Sequence, residues 1–120
     1  MRASGPGETG CLFCGIVAGD IRSDQVASSE LSVAFRDLSP VAPSHVLIIP
    51  RRHIDNAADL RPDHAETLLD MFELATAAAQ TEGLGSGYRL VFNVGDDAGN
   101  TVSHLHLHVI GGRKLGWPPG

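Results

Sequence analysis

The sequence lacks most features that would assign it to a specialised class. It has no excess of positive charge: nine Lys and Arg stand against fourteen Asp and Glu, giving a formal charge of −5. That balance argues against broad attraction to nucleic acid. A small anion needs only local cations or backbone N–H donors, and Arg51, Arg52, Arg113 and Lys114 are available for it. No stretch approaches the ~20 apolar residues that a membrane span requires. The opening MRASGPGETG is rich in small residues and has no apolar centre, so residues 1–10 read as a flexible tail rather than a signal peptide. There are only two cysteines, too few for a disulfide framework. A reducing, cytoplasmic setting is therefore the expectation, with Cys11 and Cys14 as thiolate ligands or a redox pair. There is no internal repeat and no linker. The 120 residues suit one domain over 11–120, able to bury a core unaided, although a dimer interface would help.

What is present has clear periodicity. CLFCGIVAG (11–19) reads as a compact apolar turn or short helix. QVASSELSVAFRD (25–37) contains a strand with Leu31, Val33 and Phe35 on one face, and HVLIIP (45–50) suits a strand buried on both faces. Between them Pro40 and Pro43 impose a loop. From Pro62 to about Glu82 the pattern is helical, with Ala65, Leu68, Phe72, Ala75 and Ala79 forming an apolar stripe and Gly83 as its stop. His64, near its start, reads as solvent-exposed. YRLVFNVG (88–95) and SHLHLHVI (103–110) are further strands. Strands with one long helix, and no βαβ repeat, predict an α+β fold with an antiparallel sheet of about five strands.

The last strand carries the chemistry. His104, His106 and His108 alternate with Leu105, Leu107 and Val109, which on an extended strand puts the imidazoles on one face at steps of about 6.6 Å. Alternating polar residues often mark only a solvated face, but three histidines in register followed by two glycines ask for more. Imidazole serves near neutral pH as nucleophile, base or metal ligand, and two of these histidines could equally hold a catalytic zinc. The triplet alone leaves both routes open. Upstream, Gly95 and Gly99 allow a ligand to approach backbone N–H groups that could bind phosphate oxygens.

These residues resemble a known family. HLHLHVI (104–110) is similar to the His-φ-His-φ-His-φ-φ signature, φ being apolar, of the histidine triad (HIT) family. The likeness runs on through CLFCGIVAGDI, VAFRDLSPVAPSHVLIIPRRHI, GYRLVFNVGDDAGNTVSHLHLHVIGGR and the terminal LGWPPG, which is typical of the Hint branch. The resemblance implies two protomers joining their sheets in a homodimer. It also implies hydrolysis of purine nucleoside phosphoramidates, such as adenosine 5′-monophosphoramidate or aminoacyl adenylates, to nucleoside monophosphate and amine. By the same resemblance His106 is the nucleophile and forms a nucleotidyl-histidine intermediate, His108 contacts the phosphate, His45 supports the cluster, and Thr101 assists the leaving nitrogen. Asp37 would accept the ribose hydroxyls, Ile21, Phe35 and Leu38 would border the purine, and Asn93, Asn100 and Val102 would complete the nucleotide site. Asn100 and Thr101 stand where many Hint proteins have Gln and Ser, and Arg22 where Pro is frequent, departures that bear on leaving-group preference and on access to the pocket. Trp117 lies in a tail that would approach the partner's site or pack the dimer.

Cys11-x-x-Cys14 by itself is ambiguous between redox and metal chemistry. The resemblance adds His53 and His104 as further ligands, implying a structural Cys2His2 zinc site that fastens the N-terminal segment to the sheet. Competing readings are a zinc hydrolase using His104 and His106, an Fhit-like dinucleoside polyphosphate hydrolase, and a nucleotide-binding regulatory protein.

Overall fold

The computed structural model describes residues 10–120; the tail expected over residues 1–10 therefore lies, Gly10 apart, outside the described residues. The elements are α1 (Leu12–Ala18), β1 (Gln25–Ser28), β2 (Ser32–Arg36), β3 (Ser44–Pro50), α2 (Ala65–Thr81), β4 (Tyr88–Val91) and β5 (Leu107–Gly111). Single 3₁₀ turns lie at Ala57–Asp59, Pro62–His64 and Asp96–Ala98. The five strands form one sheet in the order β1-β2-β3-β5-β4, with every neighbouring pair antiparallel. This is the α+β architecture expected from the sequence. Among the described residues no helix is long and apolar enough to cross a membrane.

Central β3, SHVLIIP, is buried along its whole length, because both faces of the sheet are covered. Val46 and Ile48 join Ala34, Leu107 and Val109 beneath Met71, Leu74, Ala75 and Ala78 of α2. Leu47 and Ile49 face the other way, with Val33 and Phe35, against Phe13 and Ile16 of α1. The register sets His108 opposite Leu47 and His45 opposite Ile110. Both histidines therefore share the α1 face, and the functional residues gather beneath the shorter helix.

Several local expectations change. The strand expected over 25–37 is a hairpin, broken where the Ser29 hydroxyl accepts the Ser32 N–H at 3.1 Å and turns the chain. Strand β4 ends at Val91 because Phe92 turns to pack edge-on against Phe72, 6.1 Å between rings. The apolar stripe of α2 is rotated: Ala65 and Phe72 are exposed and Leu68 half-buried, while Thr67, Met71, Leu74, Ala75, Ala78 and Ala79 are buried. Only Ala75 and Ala79 belong to both stripes. The rotation suits a helix lying over closely packed sheet residues, which favours small side chains. Gly83 does stop the helix, at φ +73°.

His64 is buried rather than solvent-exposed. Its Nδ1 accepts the Arg61 N–H at 3.0 Å, so it supplies the cap that Arg61, as an N-cap residue, does not. His64→Ala is expected to lower the unfolding free energy by about 1 kcal/mol, the usual cost of a lost cap. Denaturant melts check this, and the site beneath α1 is expected to keep its properties.

Candidate active site and metal centre

The sequence suggests one strand carrying three equivalent histidines, but the chain enters β5 only at Leu107. His104 and His106 precede it, in a segment held by the Leu105 N–H donating to the Ile54 carbonyl at 2.6 Å. Freed from strict strand alternation, the three rings have three different surroundings.

His104 is fully buried. Its Nε2–H donates to the Pro50 carbonyl at 3.0 Å, which leaves the Nδ1 lone pair aimed at two sulfurs, Cys11 Sγ and Cys14 Sγ, each 3.3 Å away. His53 is oriented alike: Nε2 bonds Asp55 at 2.7 Å, and Nδ1 lies 3.2 Å from Cys14 Sγ. The four ligand atoms all lie within 4.8 Å of one another. Around a tetrahedral ion with bonds of about 2.0–2.3 Å, such atoms would sit roughly 3.3–3.8 Å apart. The far nitrogens, on a carbonyl and a carboxylate, supply the outer partners that ligating histidines ordinarily have. Burial pushes His104 down to about 4, keeping it neutral as a ligand must be. Burial, with Cys11 alongside, pushes the Cys14 thiol up to about 12, so a cation is what would draw out a thiolate there. Cys11, Cys14, His53 and His104 can thus hold a metal ion. Helix α1 assembles its end of the site, since Cys11 caps it by accepting the Cys14 N–H at 3.2 Å.

His106 turns the opposite way. Its Nδ1–H donates to the His104 carbonyl at 2.7 Å, a bond that fixes the tautomer and leaves Nε2 with its lone pair. His106 borders a cleft of about 320 Å³, large enough for a small organic ligand. Phe13, lying between the two cysteines in sequence, meets the rings of His104 and His106 edge-on at 5.9 and 5.1 Å.

His108 occupies the same cleft and ends a relay. The Val41 N–H donates to His45 Nδ1 at 3.2 Å, so Nε2 of neutral His45 carries the proton and donates to His108 Nδ1 at 2.8 Å. The remaining His108 nitrogen, Nε2, must then be N–H, and it is buried with no partner among the described residues. Asp37 Oδ2 lies 3.5 Å from His45 Nε2, while its Oδ1 accepts the Ser39 N–H at 2.8 Å. Burial lowers His45 against the pull of Asp37. Burial, then His106 and His45, push His108 down to about 4. One lone pair and one N–H with no partner among the described residues therefore stand on neighbouring rings, 5.0 Å apart.

Of the residues singled out from the sequence, Ile21, Phe35, Asp37, Leu38, Asn93, Thr101, Val102, His106 and His108 line this cleft. His45 stands behind His108. Asn100 lies beside the cleft, its Oδ1 buried and with no partner among the described residues. The N–H donors expected between Gly95 and Asn100 are largely spent internally: Ala98 and Asn100 donate to the Gly95 carbonyl and Gly99 to Asp96. Leu12, Phe13, Ile16, Ser23, Arg36 and Leu47, which no motif in the sequence marks, also line the cleft. The helical spacing of Phe13 and Ile16 was the signal available, and it reads equally as core. Gly15 has a specific reason to lack a side chain, since a Cβ there would come 2.6 Å from Ile21 Cδ1. Ile21 folds back over α1 at the cleft rim. Arg22 lines the rim too, whereas Trp117 is 84% exposed, apart from the cleft.

A family model described as HIT domain matches residues 18–115. A HIT-like protein of Synechococcus elongatus, described as uncharacterized, is 43% identical over 109 residues, 91% of this chain and 96% of that protein. The crystal structure of a HIT family hydrolase from Legionella pneumophila superposes with a TM-score of 0.88 at 48% identity, covering 92% of this chain and 99% of the other. A histidine triad protein from Clostridium difficile gives 0.83 at 36% identity, covering 88% and 93%.

Two outcomes are expected. The sulfur-nitrogen cluster should take up one Co²⁺ per chain with thiolate-to-metal absorption, and Cys14→Ser, which leaves one thiolate, should roughly halve that band and weaken uptake at least about a hundredfold. The depressed His108 sets a pH dependence. Above the ordinary value of 6.5 its ring is neutral folded and unfolded, and contributes nothing. As pH falls from there toward about 4 the unfolded chain takes up a proton that the fold refuses, so stability declines, levelling off below. Denaturant melts across that window should show a smaller decline in His108→Asn.

Proposed function

Since the chain belongs to the HIT family, we propose that it is a nucleotide hydrolase of the Hint type, cleaving purine nucleoside phosphoramidates to nucleoside monophosphate and amine. The observation that carries this reading is the pairing of tautomers: an Nε2 lone pair on His106 beside an N–H donor on His108, both bordering one cleft.

In the proposed reaction His106 Nε2 attacks the α-phosphorus. A nitrogen–phosphorus bond forms to the enzyme, and the substrate's phosphorus–nitrogen bond breaks. The amine leaves with a proton drawn from solvent water through the Thr101 hydroxyl, the relay at the rim. His106 then carries phosphorus on Nε2 and hydrogen on Nδ1, and the His104 carbonyl stabilises that cationic ring. Water attacks phosphorus next: an oxygen–phosphorus bond forms as the bond to His106 Nε2 breaks, the water's proton returns to solvent, and the nucleotide leaves with the Nε2 lone pair restored. His108 Nε2–H holds a phosphate oxygen through both steps, an electrostatic aid worth most in a water-poor site. Asp37 takes the ribose hydroxyls, and Ile21, Phe35 and Leu38 border the base. Asn93, Asn100 and Val102 complete the phosphate side.

The Cys2His2 donor set is the kind that suits zinc in closed structural sites. With zinc bound there, the ion would contribute to folding and hold α1 against the sheet. His104 is then committed away from the cleft, which speaks against a catalytic metal shared by His104 and His106. The proposed protein is one domain over 11–120, working in the reducing cytoplasm as a homodimer. Strand β4 is an edge of the sheet, and it leaves Tyr88, Leu90 and nearby Val94 partly exposed. A second copy pairing along this edge would cover them and give exposed Trp117 a neighbour.

The test is a steady-state assay of adenosine 5′-monophosphoramidate beside diadenosine polyphosphates, with wild type and His106→Asn. Wild type should prefer the phosphoramidate, and the variant should lose at least about a thousandfold in kcat/KM, as expected for a missing nucleophile. Quenching with labelled substrate should leave nucleotide on wild type alone. Preference for polyphosphates would replace the Hint reading by an Fhit-like one, and unchanged turnover in the variant would exclude His106 as nucleophile.

A further inference from the structure

The cleft beneath α1 has two ends. The cross-strand row Phe35–Leu47–His108 runs from β2 through β3 to β5. Phe35 therefore stands two strand spacings, about 10 Å, from the histidine proposed to hold the phosphate. Arg22 lines the cleft at the Phe35 end, because residues 21–24 run beside Phe35 and Arg36. Gln25 pairs with Phe35, and the Arg36 N–H donates to the Asp24 carbonyl at 2.9 Å. Strand β1, which this segment enters, is the sheet edge opposite β4, so a dimer joined along β4 leaves it clear.

Arg22 and Arg36 both line the cleft, but only one of them is committed. Arg36 is bound to Glu82 at 2.7 Å and to Asp24 at 3.1 Å. Among the described residues Arg22 makes no ion pair and no hydrogen bond through its side chain. Its backbone is nevertheless pinned on both sides: the Ile21 N–H donates to the Gly15 carbonyl at 3.2 Å, and Asp24 is tied to Arg36. Around it Leu38 is 97% and Ile21 39% exposed, apolar area that a planar base would cover. Asp37 is the sole carboxylate among the lining residues, and its Oδ1 already accepts the Ser39 N–H at 2.8 Å. The Ser23 hydroxyl, donor and acceptor alike, serves any base.

We propose that Arg22 reads the base and makes the cleft selective for 6-oxopurines, guanine and hypoxanthine, over adenine. The inference rests on the reading of the cleft as a nucleotide site and names the base it takes. Guanine and hypoxanthine present two adjacent acceptors, N7 and O6, which one guanidinium meets with two N–H groups, the pairing proteins use to read guanine in DNA. Adenine presents N7 beside an amino donor. Arginine has no acceptor for that amino group, so one bond is lost and two donors face each other. Because Arg22 has no partner among the described residues to give up, the contact to a 6-oxopurine breaks no bond in the fold.

The experiment compares guanosine, inosine and adenosine 5′-monophosphoramidates in steady-state assays of the full chain, and GMP, 7-deaza-GMP and AMP by calorimetry. In wild type the KM for the guanosine and inosine substrates should lie at least about tenfold below that for adenosine, the scale of one bidentate contact. The kcat values should agree, since a base contact is made equally in the ground and transition states. GMP should bind more tightly than AMP by a similar factor, and 7-deaza-GMP, lacking one acceptor, should lose most of that advantage. Arg22→Met keeps the apolar reach without the donors, and Arg22→Lys keeps the charge without the fork. Both should melt like wild type; the first should bring the guanosine-to-adenosine ratio close to one, and the second should not restore it. Equal KM values in wild type, or a guanosine preference that survives in Arg22→Met, would overturn the inference while leaving phosphoramidate hydrolysis in place. An Arg22-dependent preference for GMP in a chain that hydrolyses none of the three substrates would uphold it and sink the proposed reaction instead.

Discussion

The hydrogen bond from His106 Nδ1 to the His104 carbonyl, 2.7 Å long, is the interaction on which the rest of the site depends. It decides which nitrogen of His106 carries the proton and which the lone pair. It also ties that nitrogen to a residue whose own ring belongs to the Cys2His2 cluster. A histidine left to rotate would share its proton between two tautomers and aim neither; one held by a carbonyl has a single nucleophilic face. The cost is that His104 cannot lie on a regular strand beside His106, and the chain accordingly delays entry to β5 until Leu107.

From that bond the remaining design can be followed outward. The sulfurs of α1 hold one side of His104, and Pro50 at the end of β3 holds the other. Phe13 fills the space between His104 and His106, so the short helix serves both the cluster and the cleft. On the far side the Val41–His45–His108 relay fixes a second proton position. His104, His45 and His108 are held toward the neutral form by burial, which disfavours charge. The neutral state is therefore a property of the packing as well as of the histidines.

Much of this was legible in the sequence, for physical reasons. The α+β class followed from two strong periodicities, and the apolar run 45–50 identified the central strand. The resemblance brought Cys11, Cys14, His53 and His104 forward as a set, and the fold brings those four together. Less legible were features governed by contacts distant in sequence. The rotated stripe of α2 depends on the sheet it covers, and the burial of His64 depends on a helix start that lacked an obvious cap.

The sequence by itself determined which side chains are available and which segments can be strands or helices, because periodicity and residue chemistry are local properties. It also determined that His104, His106 and His108 would lie close together. Only the tertiary structure decided that they differ. Each imidazole has two nitrogens, and its role follows from what occupies the other one: Pro50 for His104, the His104 carbonyl for His106, His45 for His108. Two of those partners come from β3, more than fifty residues away in the chain, and antiparallel pairing of β3 with β5 is what brings them into reach.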